Sequence, residues 1–274
     1  MTPVNAPSWL IERPIAHRGL HDSANGAIEN TLRAAEAAIA GGFAIECDIQ
    51  LSADGEAIVF HDETLERLTD ATGPLSALTA AEIATLRING SAEPPPTFAA
   101  FLDRVAGRTP IICELKSRFD GDWRIADRAV ALAGAYDGAL AFKSFDHYLT
   151  AYLRLRRPEM RPPRGPCPIG LVAQASYEGA DWTFLRPEQK RDWTDYDHYD
   201  AARPDFLSFN VEDLPHKIPF LVKQLSHAPI MAWTVSTPAQ REAAHKWADQ
   251  IVFEGDPEAN RAWRPIDHAA PLAY

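Results

Sequence analysis

Residues 43–61 read FAIECDIQLSADGEAIVFH, and the fold turns on how this stretch pairs. FAIECDI (43–49) is an apolar run interrupted by two carboxylates. Strand alternation puts Glu46 and Asp48 on one face and Cys47 on the other. Asp54-Gly55 is a turn signal, and the connection to AIVFH (57–61) is too short for a crossover helix. The second run must therefore return antiparallel, as a hairpin arm. A turn centred on Asp54-Gly55 lays His61 opposite Cys47, beside the acidic pair.

Seven further short apolar runs punctuate the chain, namely PIAH (14–17), PIICELK (110–116), ALAFKSF (139–145), IGLVAQ (169–174), DFLSFN (205–210), IMAWTVS (230–236) and QIVFE (250–254). The connections between them are long enough for helices, so their strands should be parallel. Eight parallel strands and one hairpin arm predict an α/β fold, a (β/α)8 TIM barrel with an antiparallel arm after strand 2 and a small insertion. The expectation is one domain over 1–274, with a core of about 14–258 and an insertion of about 62–109. In the first crossover Asn30 is the expected N-cap, Leu32, Ala35 and Ile39 form the apolar stripe, and Gly41-Gly42 closes the helix. The insertion is expected to carry one helix over 75–88, a stiff EPPP break (93–96) and a second helix over 97–107. Segment 175–203, rich in aromatics, is read either as a cover over the barrel mouth or as a packed surface helix. The tail from Pro265 reads as a loosely ordered terminus.

Composition narrows the function. Of 274 residues 46% are apolar and 24% charged, the net charge is −11 and the pI is near 5.3. That balance argues against a nucleic-acid backbone or an anionic membrane surface as the main partner, because both call for clustered Lys and Arg. Cys47, Cys113 and Cys167 form no C-x-x-C pair and read as small buried hydrophobes in a reducing compartment. The N-terminus has neither a basic nor an apolar signal region, and no window approaches the roughly 18 apolar residues of a membrane span. A soluble cytoplasmic protein without stable membrane insertion is the expectation.

Barrel sites sit at the carboxyl ends of the strands. His17 and Arg18 end the first strand, and Glu114 and Lys116 repeat on the third parallel strand the two-residue spacing of Glu46 and Asp48. Three carboxylates in proximity are unfavourable without a cation, and oxygen-only ligands select Mg²⁺ or Ca²⁺ over zinc. His17 and His61 would flank that site without being needed as ligands. Two imidazoles beside a cation and an Arg–Lys pair suit phosphodiester cleavage, one removing a proton from the nucleophile and the other protonating the leaving alcohol. Lys143 ends another strand and is read either as substrate-facing or as a rim lysine. The remaining histidines, His147 and His198 among them, are expected on solvated or helix surfaces.

HRG (17–19), EN (29–30), E-x-D (46–48), DG (54–55), VFHD (59–62), ELK (114–116) and WTV (233–235) occur in one order along the chain. This ordered set resembles the glycerophosphodiester phosphodiesterases, over about residues 14–258. The resemblance implies a (β/α)8 barrel that hydrolyses glycerophosphodiesters to glycerol 3-phosphate and an alcohol. By position it implies His17 and His61 as the acid/base pair, and Glu46, Asp48 and Glu114 as ligands of one divalent cation. Arg18 and Lys116 would bind phosphate, Glu29 would orient His17 or Arg18, and Trp233 would line the substrate groove. It also implies either the glycerol 2-hydroxyl or water as the first nucleophile. Two departures stand out. IVFEGDP replaces the family's Thr-Asp ending of the last strand, with Glu254 near the place of the Asp, and Ile28 stands where a proline usually precedes Glu29. The alternative is a phospholipase-D-like hydrolase of lysophospholipids, which would need an apolar membrane-contacting rim.

Overall fold

The structure, a computed structural model, describes residues 6–160 and 165–265, so all but the first residue of the C-terminal tail lies outside the described residues. Nine strands are present: β1 (Ile15–Ala16), β2 (Ala44–Leu51), β3 (Ala57–Val59), β4 (Ile111–Leu115), β5 (Leu140–Ser144), β6 (Ile169–Ala173), β7 (Phe206–Asn210), β8 (Ile230–Val235) and β9 (Gln250–Phe253). Eight of them, β1-β2-β4-β5-β6-β7-β8-β9, are parallel neighbours, and β9 closes the ring on β1. The expected TIM barrel is the fold. The ninth strand, β3, pairs antiparallel with the far half of β2, matching Ile49 with Val59 and Leu51 with Ala57. It has room there because β1 pairs only with Ala44 and Ile45, leaving the rest of that edge of β2 free. The register continues one step further, with the Phe60 N–H donating to the Asp48 carbonyl at 3.0 Å. His61 therefore follows opposite Cys47, as the turn position implied.

Pleat parity sorts the barrel into layers. Ile15, Ala44, Ile112, Ala141, Phe206, Met231 and Val252 form an apolar interior cluster, joined by Leu10 from the short helix Trp9–Glu12. Phe206 fits because its neighbour on β6 is Gly170, where a Cβ would stand 2.3 Å from the ring. Two residues further along the same strands the inward positions become Glu46, Glu114 and Lys143. The barrel is thus apolar at one end and ionic at the other.

Two local expectations are corrected. The first crossover helix, Leu32–Gly41, is capped by Thr31, whose Oγ1 accepts from the Ala34 N–H, and not by Asn30. Asn30 sits one residue outside with φ 59°, turned toward β2. The stretch expected as one helix over 75–88 forms only a 3₁₀ turn at Leu75–Ala77 and one helical turn at Ala80–Ile83. Its apolar residues Leu75, Ile83 and Ile88 pack with Ile28, Ile58 and Phe60 in a cluster of their own, which short turns fill better than a rod. The helix Phe98–Val105 instead buries Phe98, Phe101, Leu102 and Val105 against the main core.

His147 and His198 contradict a solvated reading. Their rings stack at 4.3 Å, His147 is only 5% exposed, and neither Nδ1 has a hydrogen-bond partner. Burial holds His147 down at about 4, and burial with the neighbouring His147 holds His198 at about 3. An unfolded chain takes up these protons near pH 6.5, whereas the native state does not until pH 4 or below. Stability should therefore fall as pH drops through that window. Urea unfolding should show wild type losing about 1–2 kcal/mol more than His147→Phe between pH 7 and pH 5. Parallel pH profiles for the two proteins would rule this out.

Candidate active site

His17, Arg18 and Gly19 leave β1 in a tight turn, with φ of 55° at Arg18 and 81° at Gly19. Only glycine suits the second position, since a Cβ there would lie 2.9 Å from the Ala34 backbone. The turn aims the Arg18 N–H at Glu46 Oε2 (3.1 Å), and the Gly19 N–H at the Glu46 carbonyl (3.1 Å). The HRG motif thereby fixes the first acidic residue of β2.

Glu46, Asp48 and Glu114 are at most 6% exposed, and each offers a carboxylate oxygen within 4.8 Å of the others. Lys116 Nζ lies 2.8 Å from Asp48 Oδ1 and 2.5 Å from Glu114 Oε1. Lys143 Nζ lies 3.0 Å from Glu46 Oε1 and 3.4 Å from Glu114 Oε2. Lys143 is 2% exposed, so it belongs to the interior and is not a rim lysine. Burial works against the charge of Asp48, but Lys116, His61, Arg18 and His17 together hold its carboxyl well below the ordinary range. Asn30 completes its surroundings. The Asn30 amide donates to Asp48 Oδ2 at 3.0 Å and its oxygen accepts from the Asp48 N–H at 3.3 Å.

The two histidines are held alike. His17 Nδ1 meets Glu254 Oε1 at 2.5 Å, and its Nε2 is 3.8 Å from Glu46 Oε2. His61 Nδ1 meets Asp62 Oδ1 at 2.8 Å. Glu254 also stands 3.7 Å from His21, and its hydrogen bonds to His17 and then His21 hold its carboxyl below the ordinary range. Glu29 receives Arg18 at 2.7 Å and both Nη atoms of Arg67, which also grips Asp62. One continuous ionic path therefore runs Arg18–Glu29–Arg67–Asp62–His61. Asp62 closes the VFHD motif, but Arg67 carries no signal of its own in the sequence, because its role depends on the loop after β3 folding back toward Glu29.

Glu46 Oε1, Arg18 Nε and Trp233 Nε1 are among the buried polar atoms that lack a hydrogen-bond partner in the described residues. Lys143 approaches Glu46 Oε1 but without the alignment of a hydrogen bond. An orphan carboxylate oxygen amid three hard oxygen donors fits a divalent cation. An orphan guanidinium N–H fits an oxyanion. Trp233 sits half-buried on β8 and meets Phe145 edge-to-face at 5.6 Å. Phe145 touches Trp182, which packs on Tyr177 and Trp193, so the 175–203 segment reaches the barrel mouth through an aromatic chain. A cavity of about 520 Å³ reaches the site only through His61 and Lys116 in its lining, with Phe119 and the exposed Phe184 among its walls and none of the triad's carboxylates lining it.

The sequence model of the glycerophosphoryl diester phosphodiesterase family matches residues 17–255. This chain belongs to that family. A glycerophosphodiester phosphodiesterase of Caldanaerobacter subterraneus subsp. tengcongensis is 45% identical over 256 residues, covering 89% of this chain and 94% of the relative. The bovine glycerophosphodiester phosphodiesterase 1 is 44% identical over 73 residues only, and the match spans 21% of its length. A phosphodiesterase of Oleispira antarctica, solved with the product sn-glycerol-3-phosphate, shares the fold with a TM-score of 0.71 at 21% identity, covering 91% of this chain and 95% of that one. No helix among the described residues is long and apolar enough to cross a membrane.

The Asn30–Asp48 contact makes a prediction about stability. Asn30→Gly keeps the left-handed backbone but leaves the buried Asp48 N–H and carboxylate short of a partner, a loss of about 1–3 kcal/mol. Asn30→Ala adds roughly 1 kcal/mol of backbone strain at the same φ. Urea unfolding should rank wild type above Asn30→Gly above Asn30→Ala. Equal stability of all three would show that the contact contributes nothing.

Proposed function

We propose that this chain hydrolyses glycerophosphodiesters to glycerol 3-phosphate and an alcohol. Glu46, Asp48 and Glu114 would hold one divalent cation, Mg²⁺ or Ca²⁺, and His17 and His61 would be the acid/base pair. One observation carries the reading: an orphan carboxylate oxygen on Glu46 and an orphan guanidinium N–H on Arg18 share a buried site with two carboxylate-held imidazoles. A cation bound there supplies positive charge to the phosphoryl oxygens. Arg18 and Lys116 bind the same oxygens from the protein side. Glu29, tied to Arg18 and Arg67, keeps the guanidinium in place.

Each imidazole has its Nδ1 on a carboxylate, which leaves Nε2 for proton transfer. One histidine takes the proton of the attacking hydroxyl, from the glycerol moiety or from water. The other gives a proton to the leaving alcohol oxygen as its bond to phosphorus breaks. Glu254 and Asp62 steady the imidazolium that forms in turn at each position. Trp233 would line the groove beside the glycerol. The substrate is a small molecule, and the domain is read as a single barrel with its insertion at about 62–109. The three free, buried cysteines favour a reducing, cytoplasmic setting.

The exposed Phe184 ring on the cavity wall favours one further reading, a phospholipase-D-like action on lysophospholipids. Substrate choice separates the two. Release of glycerol 3-phosphate from glycerophosphocholine and glycerophosphoethanolamine should require Mg²⁺ or Ca²⁺ and stop in excess chelator. Faster turnover of a micellar lysolipid would favour the second reading, and no release with either ion would overturn the first. His61→Ala should lower kcat by about 10²–10⁴-fold while the cation affinity, measured by calorimetry, stays within about twofold. Loss of cation binding in that variant would remove His61 from the proton-transfer role.

A further inference from the structure

Two lysines meet the acidic triad, and they differ in what they can do. Lys116 is 24% exposed at its side chain and has solvent to turn into. The Lys143 side chain is only 3% exposed, enclosed in the barrel on β5, with its Cα paired to that of Glu114 and Ala141 as the next inward residue below it. Its ammonium has no route to water, and no second carboxylate cluster lies among the described residues for it to join. Leaving Glu46 and Glu114 would strand it as an unpaired buried charge, which is strongly unfavourable. Whatever else binds here, Lys143 stays.

We propose that Lys143 is a permanent cation of the acidic centre, setting both its charge and its affinity for metal ions. The inference rests on the cation-binding reading above. Three carboxylates and one fixed ammonium leave two negative charges, the amount one divalent ion cancels. Lys116 is then released to join Arg18 in facing a singly charged phosphodiester. Lys143 Nζ also lies 3.0 Å from Glu46 Oε1, so an incoming ion competes with it for that oxygen. Both effects weaken divalent binding and discriminate against ions of higher charge. Lys143 is thus a positioning and charge-setting residue, not one that touches the reacting atoms.

The test is direct ion binding, with Ca²⁺ by calorimetry and Tb³⁺ by sensitised luminescence, on wild type, Lys143→Met and Lys143→Gln. Removing the ammonium should lower the Ca²⁺ Kd at least about tenfold and the Tb³⁺ Kd by more. Ion-free Lys143→Met should melt below wild type and regain more on adding Ca²⁺ than wild type does. A lysine that merely props up the site would give the opposite, weaker binding of both ions. Unchanged or weaker binding in the variants, with wild type binding normally, overturns the proposal and leaves the cation site standing. Wild type binding neither ion would overturn both. Lys143→Gln keeps a hydrogen-bond donor without the charge, so it carries the test if Lys143→Met does not fold.

Discussion

Three carboxylates buried side by side are the constraint around which this barrel is arranged. Glu46, Asp48 and Glu114 come together because β2 and β4 are parallel neighbours in a register that pairs Asp48 with Glu114. Such a cluster in a low-dielectric interior is unstable unless positive charge surrounds it. The chain supplies that charge from three directions: Lys116 just past the end of the strand that carries Glu114, Lys143 on the next, and Arg18 from the first turn, with His17 and His61 beside them at the mouth. The apolar end of the barrel, closed by Leu10 over Ile15, Met231 and Val252, provides the packing that lets the other end be ionic.

The polar shell has its own internal logic. Every basic side chain at the site is held by a carboxylate that lies outside the triad, by one inside it, or by both. His17 is tied to Glu254, His61 to Asp62, and Arg18 to Glu29 as well as to Asp48. Glu29 and Asp62 are in turn gripped by one guanidinium, that of Arg67. Burial raises the cost of charge on Glu29, yet its bonds to Arg67 and Arg18 hold the carboxyl below its ordinary range. His61 is therefore oriented by a path through Arg67 and Asp62, and His17 separately by Glu254.

Much of this was legible because strands have a period of two. Alternation alone puts Glu46 with Asp48 and Glu114 with Lys116, and the Asp54-Gly55 turn fixes the arm that delivers His61. Glu254 was visible only as an odd ending to the last strand, and its contact with His17 came from the barrel closing β9 onto β1. Asn30 reads in sequence as a helix cap because Asn is a good one, but Thr31 takes that task and frees Asn30 for Asp48. The 75–88 stretch has helical spacing, yet its apolar residues serve a small cluster under the hairpin arm, and tertiary packing overrode propensity. Lys143 was ambiguous for a different reason. A lysine at a strand end can face either way, and only the burial of its neighbours decides.

The proposed role of Lys143 would let the site be both charged and selective. A centre whose carboxylates were all unpaired would bind almost any cation tightly and would pull Lys116 and Arg18 onto itself. On the proposed role of Lys143, one ammonium fixed inside the barrel neutralises part of the negative charge permanently, and Lys116 and Arg18 are left with less to offset. Lys116 would then be free to turn toward an anionic diester. In this view the identity of the residue at position 143 governs a division of labour between the buried lysine, which belongs to the protein in every state, and Lys116, which is shared with whatever enters the cavity.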